Sequence, residues 1–208
     1  LVLCGITSAG KDSLAREISS RGPYELVISH TTRAPRENHG VMEAEGVDYF
    51  FVDEDKMLDL VSKHEFIETK LVHNRDAYGT SQSEVQRILG KDKTPILVID
   101  VQGVEEILSH TSGLRPVFIL PPSFDVWLNW LERSPISEEK LQERFRSAIK
   151  EIGIAIENPA FQLMINTKDN LVETAEYIIR GHIGRDHEAL DAAGRLLHQI
   201  TNHIKGTS

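Results

Sequence analysis

Cysteine is almost missing from this chain: Cys4 is the only one in 208 residues. An internal disulfide and a cysteine-based zinc site are thereby excluded, and the scarcity fits a reducing compartment. Basic side chains are in deficit too, with 23 Lys and Arg against 32 Asp and Glu, a formal charge of −9. That balance disfavours a broad electrostatic hold on nucleic acid or on an anionic membrane face. It leaves room for a local basic pocket that takes one small phosphorylated ligand. No apolar run approaches the roughly 18 residues of a membrane span, and no secretory leader pattern is present. The chain opens at Leu1, already inside an apolar run, which points to natural residues upstream of it. Repeats and low-complexity tracts are also lacking. The expectation is a cytoplasmic protein built on one core.

What is there is an alternation. Leu1–Cys4, Leu26–Ile28, Ile96–Ile99, Val117–Leu120 and Leu163–Ile165 are short runs, apolar on successive residues and bounded by turn or polar residues. They read as strands buried on both faces, as a covered parallel sheet requires. Helical patterns lie between them at Asp12–Ser20, Ser81–Leu89, Ser123–Glu132, Glu138–Ile152 and Leu171–His182. Strand–helix alternation implies right-handed crossovers and an α/β layer fold. Residues 30–80 break the rhythm with Gly40, Gly46 and the mixed run Val47–Val52, and read as a small insertion hung on the core. A final amphipathic stretch, His187–Ile204, lines up Leu190, Ala193, Leu197, Ile200 and Ile204 on one helical face. That face either packs on its own core or forms a homodimer contact. The nine histidines lack a tight metal-ligand spacing.

The first strand runs directly into Gly5-Ile6-Thr7-Ser8-Ala9-Gly10-Lys11, and the first helix follows. This is the G-x-x-x-x-G-K phosphate loop in the strand–loop–helix context that gives the pattern meaning. Its glycines let the backbone wrap closely, so that N–H groups and the helix N-terminus converge on phosphate oxygens. Gly5, Ser8, Ala9, Gly10, Lys11, Asp12 and Ser13 are the candidate nucleotide-binding residues, with Lys11 reaching the β- and γ-phosphates. The position after Lys11 ordinarily carries a Ser or Thr that ligates Mg²⁺, and here it is Asp12. A carboxylate there can hold Mg²⁺, or merely favour the positive end of the helix.

Further motifs follow in a fixed order: Ser29-His30-Thr31-Thr32-Arg33-Ala34-Pro35-Arg36, then Asp48–Val52, Glu65-Phe66-Ile67-Glu68, Tyr78-Gly79-Thr80-Ser81, Ile99–Val104, Pro121-Pro122-Ser123 and Glu138-Glu139…Arg144. Together with the loop, this series resembles the guanylate kinase family from Leu3 to about Ile179. Arg33 and Arg36 supply two planar forked cations suited to a monophosphate. The resemblance implies that Tyr49 and Tyr78 add hydroxyl donors to that phosphate. It also implies that Glu68 accepts from guanine N1–H and the amino group, with Ser29 and Thr80 beside it. Asp100 stands at the carboxyl end of a central strand, where open α/β sheets bind ligands. It is a candidate for substrate and, with Asp12, for metal; the alternative is a helix or turn cap.

The implied fold is a three-layer P-loop kinase with a central parallel sheet. Its core would be 1–29, 89–126 and 150–208, with an inserted mixed acceptor-binding subdomain at 30–88 and a helical lid at 127–149. The implied activity is transfer of the γ-phosphoryl group of ATP to GMP or dGMP, with Mg²⁺, Lys11, Arg36, Arg133 and Arg144 neutralising charge. No partner is implied beyond these small molecules. The departures from the family pattern are Asp12, a longer stretch between Arg36 and Tyr49, Val98 in place of a second aspartate, and Trp130 in place of a lid arginine. Gly10-Lys11-Asp12-Ser13 also resembles the ribose 1,5-bisphosphate phosphokinase loop. A kinase of another phosphorylated acceptor and a weakly or non-catalytic binding module of guanylate-kinase type therefore stand as alternatives.

Overall fold

Strand β1 (Val2–Gly5) is buried along its whole length. Successive strand residues point to opposite faces, so burial at Val2, Leu3 and Cys4 alike means that both faces of the sheet are covered. The computed structural model describes residues 1–38, 40–72, 76–133, 136–166 and 171–206. After β1 come helix α1 (Lys11–Ser20) and strand β2 (Tyr24–Leu26). The next region holds β3 (His30–Thr31), β4 (Glu37–Asn38), β5 (Val41–Met42), β6 (Phe50–Phe51), α2 (Glu54–Ser62), β7 (Phe66–Val72), β8 (Asp76–Ser81) and α3 (Gln82–Leu89). The chain continues through β9 (Thr94–Val98), α4 (Val101–His110), β10 (Pro116–Leu120), α5 (Phe124–Leu131), α6 (Glu138–Glu157), β11 (Gln162–Ile165), α7 (Leu171–Ile179) and α8 (His187–Gly206).

Among the described residues the central sheet has five strands in the order β11-β10-β1-β9-β2, all parallel. Because β9 and β10 flank β1 on either side, strand order reverses at β1, and the carboxyl ends there open a crevice. Leu14 and Ile18 of α1, Val104 of α4, Phe145 and Ile152 of α6, Ile178 of α7 and Leu196 and Ile200 of α8 join the strands in one core. A second, mixed sheet of four strands, β6-β3-β8-β7, is built from residues 30–81.

The strand read at Leu26–Ile28 runs instead over Tyr24–Leu26, although the Val27 N–H still bonds the Ile96 carbonyl at 2.9 Å. Helices α2 and α4 were not foreseen. In α4 the apolar residues alternate with Gln102, Glu105 and Glu106, which hid the period behind the strand before it. The helix read to His182 ends at Ile179, where Gly181 takes a left-handed φ of 73°. Helix α6 runs on past Ile152 to Glu157. Ser81, Ser123 and Ser137 cap α3, α5 and α6 by accepting backbone N–H bonds, which fixes where each helix starts.

Candidate active site

The phosphate loop is shaped by backbone that only small residues tolerate. Gly5 and Gly10 take φ of 134° and 85°, and Ser8 takes 64°. A Cβ on Gly5 would collide with the Ile119 carbonyl of β10, and one on Gly10 with the Asn166 amide. Two contacts from distant chain segments fix the loop: Trp127 Nε1 donates to the Thr7 carbonyl at 2.8 Å, and Asn166 Nδ2 donates to the Ala9 carbonyl at 2.7 Å. Gly10 caps α1 without a side-chain bond, so the first N–H groups of that helix face the crevice. Lys11 Nζ folds back onto the Gly5 and Ile6 carbonyls at 2.7 and 3.0 Å. Burial pushes its ammonium below the ordinary lysine range, while Asp12 and Glu151 pull the other way.

The loop opens into a cleft of about 950 Å³ of empty space, including its solvent-open mouth. Gly5, Lys11, Asp12, Ser29, Tyr49, Glu68, Tyr78 and Asp100 all line it. On its far wall the β7–β8 pairing sets Glu68 opposite Thr80, just past a register shift after Phe66. Thr80 Oγ1 donates to Glu68 Oε1 at 2.6 Å, and the Ser29 hydroxyl lies 3.4 Å from that of Thr80. Burial raises the Glu68 carboxyl above its ordinary range, and the Thr80 bond opposes the rise. This cluster of one carboxylate and two hydroxyls fits the edge of a purine that presents N–H donors and a carbonyl.

Beside it Arg33 Nε donates to Tyr78 Oη at 3.0 Å, and its Cζ sits 5.3 Å above the Tyr49 ring. Glu43 orders both arginines. Its carboxylate pairs with Arg33 Nη2 at 2.9 Å, accepts from the Arg36 N–H at 3.1 Å, and lies 3.4 Å from Arg36 Nε. Arg36 keeps 66% of its side chain exposed, whereas the Glu43 side chain keeps 5%. From α6, Arg144 is lowered in pKa first by burial and then by Arg36, so the two cations lie within reach of one another. An anion between them would relieve that repulsion.

Other sequence-predicted residues stand apart. Arg133 is exposed at the end of α5 and does not line the cleft. Ser8 and Ser13 are exposed and Ala9 is buried, outside the cleft lining as well. Trp130, placed where a lid arginine was expected, is buried at 9% exposure. Asp100 takes up the alternative read from the sequence, a helix cap. It lies past the end of β9 and caps α4, accepting from the Gly103 N–H at 2.8 Å, and its other oxygen is ion-paired with Lys70. Asp12 differs: it lines the cleft from the first turn of α1 and makes no hydrogen bond or ion pair among the described residues. Among those residues there is no ready-made group of three or more His, Cys, Asp or Glu for a metal.

Sequence reasoning missed Glu43, Lys70, Glu151 and Asn166. Glu151 lies two helical turns beyond Arg144 on α6, faces Lys11 and Lys70 across the cleft, and is raised in pKa by burial. Its only advance signal was that same-face spacing. No described helix is long and apolar enough to cross a membrane.

Comparison with known proteins accords with this geometry. The sequence profile of the family described as Guanylate kinase matches residues 1–180. A guanylate kinase of Clostridium tetani is 34% identical over 74% of this chain and 72% of its own. One of Legionella pneumophila (strain Paris) is 35% identical over 81% of this chain and 78% of its own. The crystal structure of guanylate kinase from Anaplasma phagocytophilum superposes with a TM-score of 0.63 at 26% identity, covering 90% of this chain and 87% of that one. With its phosphate loop, its α/β sheet and a family match running over most of its length, the chain belongs to the guanylate kinase family.

Proposed function

We propose that the cleft binds GMP against β7 and β8 and the triphosphate of ATP on the β1–α1 loop, and that the γ-phosphoryl group passes between them. One observation carries this reading: a single cleft is lined both by Lys11 at the phosphate loop and by Ser29 and Glu68, the latter backed by the buried Thr80 hydroxyl, a set suited to guanine. The acceptor is an oxygen of the GMP phosphate, anionic at neutral pH, so no strong general base is needed. That oxygen bonds to the γ-phosphorus as the bond to the β–γ bridging oxygen breaks, leaving ADP and GDP. The protein's part is to position the two phosphates and neutralise their charge.

Arg33, ordered by Glu43 and joined to Tyr78, binds the acceptor phosphate, with Tyr49 and the more exposed Arg36 completing its surround. Arg144 reaches the same phosphate from α6. The lid read over 127–149, of which 134 and 135 lie outside the described residues, is anchored in the core at Trp127, Leu131 and Phe145. Its Arg133 and Arg144 would neutralise the transferring group and help exclude water from it. Asp12, which lines the cleft and has no ion pair among the described residues, fits Mg²⁺ arriving with ATP, whereas Asp100 is taken up by Lys70 and Gly103. Mg²⁺ held there would supply neutralisation of phosphate charge.

Arg33→Met tests the acceptor site. By calorimetry, GMP should bind at least about tenfold more weakly, about 1.4 kcal/mol, with ATP affinity unchanged. Unaltered GMP affinity would place the acceptor phosphate elsewhere.

A further inference from the structure

Lys70 lies in the cleft without a place in the arrangement above. It is on β7 two residues from Glu68, so the two side chains share a face of the strand, and its pairing partner across β8 is Tyr78. Opposite residues of an antiparallel pair hold their Cβ atoms about 5 Å apart. Lys70 therefore stands between the guanine-reading carboxylate, the tyrosine that holds Arg33, and the lysine of the phosphate loop. All four residues line the same cleft.

Its ammonium is ion-paired with Asp100, and its side chain is 39% exposed. Burial, and to a lesser degree Lys150 and Lys11, holds its ammonium below the ordinary lysine range, against the pull of Glu151 and Glu68. As an anchor for Asp100 this pair is redundant, because the Gly103 N–H already holds that carboxylate. A half-exposed ion pair also adds little stability. What the pair does provide is a cation parked on a long flexible stem, at the junction between the proposed donor and acceptor phosphates. We propose that Lys70 is a catalytic residue: when both nucleotides are bound, its ammonium swings from Asp100 onto an oxygen of the phosphoryl group in transit. There it offsets charge that gathers as the group passes from ATP to GMP. A lysine suits this role because its single strongly hydrated charge turns freely, whereas a planar guanidinium demands a fixed fork.

The proposal rests on the acceptor and donor placements argued above. Single-turnover rates, GMP and ATP affinities by calorimetry, and melting temperatures are to be measured for the wild type, Lys70→Met, Lys70→Arg and Arg33→Met. Lys70→Met should slow the chemical step about a hundredfold, with both affinities within about threefold of the wild type. Lys70→Arg should recover part of the rate. Lys70→Ala should be accelerated by added ethylammonium, a response that a merely structural lysine does not give, and this arm also serves if Lys70→Met folds poorly. A single-turnover rate for Lys70→Met within about twofold of the wild type overturns the proposal. So does a loss confined to melting temperature or to nucleotide affinity. Arg33→Met reports separately: if it binds GMP as the wild type does, the acceptor placement has failed, whatever Lys70 shows.

Discussion

A carboxylate reads guanine N–H groups only while it is ionised, and burial works against ionisation at Glu68. The sign follows directly. With its folded pKa raised, Glu68 takes up its proton at a higher pH than an ordinary glutamate. GMP affinity should therefore hold at neutral pH and begin to fall, as pH is lowered, above the ordinary glutamate value of 4.5. Glu68→Gln should bind GMP on the order of 1–3 kcal/mol more weakly at neutral pH, because an amide donor now meets guanine donors. The variant should keep only the pH response of the nucleotide phosphate itself. Calorimetric titrations of both proteins across this range check the point, and parallel pH profiles would remove Glu68 from base recognition. At this scale the sequence is legible where residues sit in short motifs: Lys11, Glu68 and Tyr78 line one cleft, with Arg33 and Thr80 bonded to two of them. Lys70 and Asn166 are not legible in this way, because their partners Asp100 and Ala9 are joined to them only by the fold. Glu43 was hidden among other acids, Glu37, Glu45 and Asp48, in a stretch without periodicity.

The phosphate loop depends on two glycines whose surroundings differ in kind. Beyond Gly5 lies the backbone of β10, which cannot retreat without breaking the parallel pairing of Gly5 with Ile119. Beyond Gly10 lies a side-chain amide that can rotate, at the cost of its bond to the Ala9 carbonyl. Gly5→Ala should thus lower global stability by about 3 kcal/mol or more, combining left-handed strain with a backbone clash. Gly10→Ala should cost nearer 1 kcal/mol and act chiefly by weakening ATP binding. Thermal unfolding together with ATP calorimetry separates the two, and equal effects on stability would contradict this account of the loop. The central strands were legible because continuous apolar runs survive as buried strands. The second strand was displaced toward Tyr24 because the apolar run Leu26–Ile28 signals burial, not where pairing begins. The short strands β3 to β6 carry too few residues for any period to show.

Across the whole molecule, a net charge of −9 coexists with a cleft lined by Lys11 and Lys70, while Arg33 bonds the Tyr78 hydroxyl at its wall and shares Glu43 with Arg36. The cleft itself is mixed in charge, since Asp12, Glu68, Asp100 and Glu151 line it beside the two lysines, and charges farther off than a Debye length of about 8 Å at physiological salt are largely screened from it. Helix α8 lies beyond the family match at residues 1–180. It lays Ala193, Leu196 and Ile200 against the core and sets the His203 ring 5.2 Å from those of Phe124 and Phe145. Those rings lead through Trp127 to the phosphate loop, so the end of the chain buttresses its beginning. The most direct test of the whole account is a coupled assay of ADP release from ATP and Mg²⁺ with GMP, dGMP, AMP, UMP or ribose 1,5-bisphosphate. Turnover is expected with GMP and dGMP, and AMP should be at least about a thousandfold poorer in kcat/KM, because it would leave the Glu68 cluster without its donors. ADP release with GMP no faster than ATP hydrolysis alone, or equal rates with ribose 1,5-bisphosphate, would contradict the account.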